Sequence, residues 1–338
     1  ISMASKKPDD DNIPKQTLEP FVNPMQTYFD KHLTTFSKMV RAMPCNTIMV
    51  DTLENYHEKH MAFPCRDTDI WVTAFPKAGT TWMQEMVWLM IRGLNHKDGD
   101  KPLMSRFPFF EWDALIPPKY DAAMALLPAG NVERRGEQWK LLDSPVNPRL
   151  IKSQMHRALL PSGLTKLKSK IIYVVRDPRD VMISLYYHTI KMLDYSGDFD
   201  HFVKIFLDDL YEWGPFWNHV LGYWNRRHQD NILFVRYEDL QKDLKGSINK
   251  VAAFLGVTVT TAQVATMTER LSFEFMRNNP ATNNQEIMKG LAKDSDIKFM
   301  RKGIIGDHMN HLSEAQILQF TKWTEKWLKD TDFPYYKY

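Results

Sequence analysis

The sequence predicts an α/β fold: a single domain with a central, mainly parallel sheet flanked by helices and a P-loop-like anion-binding turn after its first sheet strand. Three observations lead there. Lys170-Ile-Ile-Tyr-Val-Val175 and Asn231-Ile-Leu-Phe-Val235 are near-continuous apolar runs, which suit strands buried on both faces of a parallel sheet. Helical patterns follow each run, so strands and helices alternate. Finally, Trp71-Val-Thr-Ala-Phe-Pro-Lys-Ala-Gly-Thr-Thr-Trp82, followed by the apolar run Met83 to Leu89, reads as a strand, a tight turn and a helix start.

The remaining elements follow in order. Residues 1–24 are polar, charged and proline-bearing and are expected to form a flexible tail, with the folded domain spanning 25–338. Short helices are expected within Met25 to Val40 and Thr52 to His60. Residues 101–150 show little periodicity but carry Phe107-Pro-Phe-Phe, Trp112 and Pro117-Pro118, with a short helix expected over Ala122 to Leu127. So many large apolar side chains argue for a functional lid rather than a disordered segment. Arg149 to His156 alternates like a strand. After Val175, Asp180 is read as the helix start, with Pro178 in the turn before it and the helix running to Leu193. Phe202 to Trp224 is amphipathic and aromatic. Helices are expected over Asp243 to Leu255, Thr261 to Thr268 and Ser313 to Leu328.

Composition narrows the function classes. With 338 residues, 43% hydrophobic and 25% charged, the chain can bury a sizeable core. A net charge of +3 is too mild to argue for nucleic acid. Cys45 and Cys65 show no paired spacing and no neighbouring His cluster, so neither a disulfide framework nor a zinc site is expected, and a reducing, cytoplasmic setting is. The N-terminal stretch lacks the apolar core of a signal peptide, and no window approaches a membrane span.

Three residue sets carry chemistry. In the opening turn, backbone N–H groups around Ala78 to Thr81 would be unpaired at a helix N-terminus, and Lys77 adds a full positive charge. Either this is an anion cradle or an ordinary turn holding a lysine. It is not an ATP-type P-loop, because Lys77 precedes Gly79 instead of following the second glycine, and this order disfavours a nucleotide kinase. Second, Arg176 lies just past a strand and Ser184 on the helix after it, so both can reach one anion. Third, Met300-Arg-Lys-Gly303 precedes Gly306 and forms a flexible basic loop whose amides can wrap a phosphate.

Together, Phe75-Pro-Lys-Ala-Gly-Thr-Thr-Trp82, Arg176-Asp-Pro-Arg-Asp with Ser184, Arg236-Tyr-Glu-Asp239 and Arg301-Lys-Gly-Ile-Ile-Gly-Asp307 make a chain that resembles the cytosolic sulfotransferases over roughly residues 24–330. The resemblance implies sulfuryl transfer from 3'-phosphoadenosine 5'-phosphosulfate (PAPS), leaving 3'-phosphoadenosine 5'-phosphate (PAP), to a hydroxyl or amine, with no metal. By the same resemblance, Lys77, Ala78, Gly79, Thr80 and Thr81 bind the 5'-phosphosulfate, and Trp82 and Phe273 sandwich the adenine. Arg176, Ser184, Met300, Arg301, Lys302 and Gly303 would hold the 3'-phosphate side, with Tyr237 lining the nucleotide site. Lys77, Lys152 and position 154 would be catalytic.

The chain departs from its family at that last position. The segment that normally supplies a histidine base reads Lys152-Ser-Gln-Met-His156, so Gln154 stands in the base's slot, and an amide has no useful pKa for proton abstraction. The 22-residue step from Gln154 to Arg176 needs no gap. His156 is one rescue, because two residues along a strand it would share Gln154's face about 6 to 7 Å away. Other readings are an acceptor that needs no strong base, or a catalytically impaired protein that binds PAPS or PAP and a hydrophobic ligand. His308 stands where the family commonly has tryptophan, Leu271 replaces a hydroxyl-bearing residue, and Met309, Ser313-Glu314 and Leu318 do not fit the family's dimer pattern, which leaves dimerisation open. The segment 101–150 is read as an enlarged lid over the acceptor, with Phe109, Trp112, Tyr187 and His188 as its pocket walls. Candidate partners are small hydrophobic alcohols, phenols, steroids or amines, with neither nucleic acid nor membrane.

Overall fold

The computed structural model describes residues 13–33, 38–126, 131, 133–283 and 298–335. At its centre is a parallel four-stranded sheet of β4 (Ile70–Ala74), β5 (Leu150–Ser153), β6 (Lys170–Val175) and β7 (Ile232–Arg236), in the spatial order β5-β4-β6-β7. All five β4 residues are buried, as are five of the six in β6, which is why these segments read as unbroken apolar runs. The register pairs Thr73 with Ser153, Ala74 with Val174, and Val175 with Arg236. The ends of all four strands therefore meet at one carboxyl edge. Because β5 and β6 lie on opposite sides of β4, the chain leaves β4 at a topological switch point, where open α/β sheets bind ligands.

A smaller antiparallel sheet, β1 (Thr17–Phe21), β2 (Met39–Met43) and β3 (Thr47–Val50), was not expected. It corrects two sequence expectations. The proline-bearing stretch Thr17–Phe21 is an edge strand, with Pro20 opposite Val40, a position at which a missing N–H is tolerated. The helix expected within Met25 to Val40 covers only Gln26–His32, and Met39 opens β2. Residues 1–12 of the expected tail and 34–37 lie outside the described residues.

Other boundaries shift for local reasons. The helix placed at Asp180 spans Pro178–Leu193, because the Asp177 carboxylate accepts the Arg179 N–H as N-cap and Pro178 takes the first helical position. Phe202 to Trp224 divides into helices Phe199–Leu207 and Phe216–Trp224, with Asp209 and Trp213 in the left-handed region between them. The Thr52 to His60 stretch forms a 3-10 turn, Asp51–Asn55, and a short helix, His57–Met61. The helix expected over Ala122 to Leu127 spans Asp121–Ala125, and Leu127 lies outside the described residues.

The segment 101–150 contains short helices at Leu103–Arg106, Trp112–Leu115 and Glu137–Leu142. Phe107, Phe110, Trp139 and Leu142 insert from it into the main core. It also extends the sheet edge: Lys152 N–H donates to the Pro108 carbonyl, and Phe110 N–H to that of Lys152, both at 2.9 Å. Among the described residues, no helix is long and apolar enough to cross a membrane.

Candidate active site

At the carboxyl edge the chain turns from β4 into the helix Thr80–Arg92 through Phe75 to Gly79. Gly79 has φ of 110°, and a Cβ there would lie 2.7 Å from the Tyr237 ring. Only glycine meets both demands. Lys77 also has positive φ, 69°. The Ala78 and Trp82 N–H groups find backbone acceptors, at Phe75 and Gly79, but those of Gly79, Thr80 and Thr81 find none among the described residues. The buried Thr80 Oγ1 is also unpartnered. An anion in this turn would satisfy all of these groups together.

These residues open onto a cavity of about 300 Å³. Its lining includes Trp82, Arg176, Ser184, Tyr237, Phe273 and the loop Met300 to Gly303, together with Phe109, Trp112, Gln154, His188, Tyr211 and Glu212. Lys77 and Lys152 also line it. Arg176 lies over the Tyr237 ring at 4.3 Å, and its guanidinium donates to the carbonyls of Lys77 and Ile304, tying the opening turn to the late loop. Gly303 has φ of 64°, and a Cβ on it would meet the Phe273 ring at 2.1 Å, so ring and loop are in direct contact. Arg301 and Lys302 both pair with Asp307, Lys302 Nζ at 2.7 Å. That carboxylate's pKa is lowered: burial opposes the change, but the cationic hydrogen bonds outweigh it.

Electrostatics concentrate on the two lysines. Burial, with Lys152 and Arg176 adding like charge, brings the Lys77 ammonium down to about 7. Its Nζ lies 4.0 Å from the centre of the Phe299 ring. The Lys152 ammonium is also lowered by burial, against the opposing pull of Glu111, and sits 3.6 Å over Phe109. Glu111 accepts the Gln154 backbone N–H, and His219 Nε2 donates to the Gln154 carbonyl at 2.9 Å. The backbone of Gln154 is thus fixed while its side chain faces the cavity.

Most sequence-predicted site residues converge here, with three exceptions, the first being Ala78, which is buried behind the turn with its N–H bonded to the Phe75 carbonyl and does not line the cavity. His156 does not share the face of Gln154, since β5 ends at Ser153 and His156 caps the following 3-10 turn. Its Nδ1 accepts the Ala158 N–H, the ring also bonds the Asn218 backbone, and it packs against Gly222 away from the cavity. Tyr187 does not line the cavity either. It stacks under Arg301 at 4.5 Å and meets His311, because one residue along a helix turns the side chain by about 100° from its neighbour His188. His308, at the family's tryptophan position, donates from its backbone N–H to Asp180 and meets the same carboxylate through Nδ1 at 2.8 Å, while Gly306 N–H donates to it at 2.8 Å. Leu271 is buried and lines the cavity. Sequence reasoning missed Met192, which lies one helical turn beyond His188 and could have been found by that spacing, and Glu212, which carried no local signal.

A parallel α/β sheet with a cationic, amide-rich turn at its switch point and an apolar cavity beside it places the chain among α/β proteins built to bind an anionic ligand. The sulfotransferase domain family matches residues 67–332, and the chain belongs to that family. It is 36% identical to firefly (Photinus pyralis) luciferin sulfotransferase over 82% of this chain and 76% of that protein. Against human sulfotransferase 1C2 the figure is 32%, over 80% and 86% of the two chains. Among solved structures, retinol dehydratase in complex with androsterone and the inactive cofactor PAP superposes with a TM-score of 0.86 at 28% identity, covering 96% of this chain and 99% of that one.

Proposed function

We propose that this protein transfers the sulfuryl group of PAPS to a hydroxyl or amine of a small hydrophobic acceptor. The observation that carries this reading is one cavity whose wall combines the amide-rich turn, a cationic loop and the two lysines with apolar aromatic residues of the segment 101–150. In this reading Lys77 to Thr81 hold the 5'-phosphosulfate, Trp82 and Phe273 stack on the adenine, and Arg176, Ser184 and the Arg301 to Gly303 loop hold the 3'-phosphate. The free amides of Gly79 to Thr81, the orphaned Thr80 hydroxyl and the basic loop beside Phe273 suit such a ligand. PAPS supplies the activated sulfuryl group; Lys77 stabilises charge on the leaving phosphate oxygen, and Lys152 adds positive charge beside it. Phe109, Trp112 and their neighbours in 101–150 cover the acceptor as a lid. Solved relatives carry retinol or androsterone, and a related enzyme is named for luciferin, so hydrophobic alcohols and phenols head the panel of acceptors.

Incubation with radiolabelled PAPS and a panel of alcohols, phenols, steroids and amines tests the proposal. Sulfated product is the expected result. Gln154 favours a second reading, an impaired protein that binds PAP and a hydrophobic ligand, for which tight PAP binding without product on any acceptor is the signature. Gln154→His should raise turnover on a simple phenol if only the base at that slot is missing.

A further inference from the structure

The imidazole of His188 is the one histidine ring that lines the cavity among the described residues. His188 lies on the helix Pro178–Leu193, four residues after Ser184, so the two project from the same face into the same space. Its ring meets Phe299 edge to face at 6.1 Å, and the Lys77 ammonium lies 4.0 Å from the centre of that same phenyl. Lys77 and Lys152 both act on it electrostatically, which puts it beside the cationic junction of the cavity.

Its open hydrogen bonding is shared among the buried histidines only by His60, which lies away from the cavity, and separates it from the rest. His219 uses Nδ1 with the Tyr173 hydroxyl and Nε2 with the Gln154 carbonyl, and His308 is tied to Asp180. His156 is engaged by Ala158 and Asn218, while His60 is sealed among Tyr56, Phe110 and Trp139. Neither ring nitrogen of His188 has a hydrogen-bond partner among the described residues. An imidazole left unsatisfied at the wall of a ligand cavity is a donor and acceptor site awaiting a ligand hydroxyl.

We infer that His188, reaching in from the helix after β6, is the general base for the acceptor, replacing the function that Gln154 cannot perform from the end of β5. This rests on the sulfotransfer reading above. As the acceptor oxygen forms its bond to sulfur, its proton passes to the unprotonated ring nitrogen of His188. The bond between sulfur and the phosphate oxygen breaks, and that electron pair stays on the phosphate beside Lys77. The products are a sulfate ester, PAP and a protonated imidazole that returns its proton to water.

Electrostatics support the role. Burial, with Lys77 and Lys152 adding like charge, keeps His188 well below the usual imidazole pKa and so in its proton-accepting form. The other titratable or charged groups on the cavity wall are Tyr120, Arg176, Tyr211, Glu212, Tyr237, Arg301, Lys302 and Asp307. An anionic ligand bound at Lys77 would offset the lysine charges and raise the basicity of the ring, coupling base strength to occupancy of the site.

The test uses His188→Gln and His188→Ala in the full chain. Both should lower kcat with a hydrophobic alcohol by about 10²-fold or more, with the PAP dissociation constant changed less than threefold. Added imidazole should restore part of the activity of His188→Ala. A readout independent of turnover is NMR titration of the ring, in which PAP should move the His188 pKa upward. Variants that keep more than half of the wild-type kcat, or a ring pKa indifferent to PAP, overturn the assignment and leave the sulfotransfer reading standing. A wild-type protein that yields no product with any acceptor overturns both.

Discussion

Lys77 stands in a left-handed backbone conformation, half-buried, with its ammonium against Phe299 and two further cations nearby. Such a group gains most from an anion, because an anion restores the charged form that burial disfavours. The sign of the pH effect follows. Below about 7 the empty site already holds the ammonium, so PAP affinity should be flat there; above it the proton must be taken up on binding, so affinity should fall by up to tenfold per pH unit. Calorimetric titration with PAP between pH 6 and 9 checks this. Lys77→Met should remove the Lys77 contribution to that slope and weaken binding at pH 6.5 by roughly 10- to 100-fold, the worth of a charged hydrogen bond.

At the scale of elements, the site is held by three connectors. The turn after β4 supplies amides, the helix Pro178–Leu193 supplies Ser184 and His188, and the loop around Gly303 closes against Phe273. Asp180 locks that loop by accepting from the Gly306 and His308 N–H groups, while Arg176 spans from it to the Lys77 carbonyl. Gly303 is where this arrangement is least tolerant. Gly303→Ala combines a positive φ with a clash on the Phe273 ring, so it should displace the ring and reduce PAP affinity at least tenfold. Equilibrium urea unfolding should show a smaller change, about 1–3 kcal/mol, because the position is on a half-buried loop.

For the molecule as a whole, stability depends on joining the segment 101–150 and the sheet into one core. Arg149 does part of this at the start of β5, donating to both Asp69 carboxylate oxygens at 2.8 and 2.6 Å and to the carbonyls of Leu142 and Pro64. Both partners are almost wholly buried. Arg149→Ala leaves Asp69 charged and uncompensated and should cost about 3–5 kcal/mol in urea unfolding. Occupying the site acts in the opposite direction: PAP at 100 times its dissociation constant should stabilise the native state by about 2.7 kcal/mol, read as a rise in Tm.

The strands β4, β6 and β7, the opening turn and the pair Arg176 and Ser184 were legible in the sequence by itself. They depend on neighbours in the chain: buried strands need unbroken apolar runs, and a left-handed turn before a helix needs glycine. Only the tertiary structure decided the small sheet of β1 to β3, whose half-exposed edge strand has the composition of a loop and exists because β2 lies beside it. Tertiary structure also set the fate of the histidines. His156 was lost from the site when β5 ended at Ser153, His308 was tied to Asp180 across 128 residues, and His188 was turned to the cavity beside Lys77. Sequence spacing fixes which residues share a strand or a helical face. Which of those faces meets which cavity depends on how strands distant in sequence pair and pack.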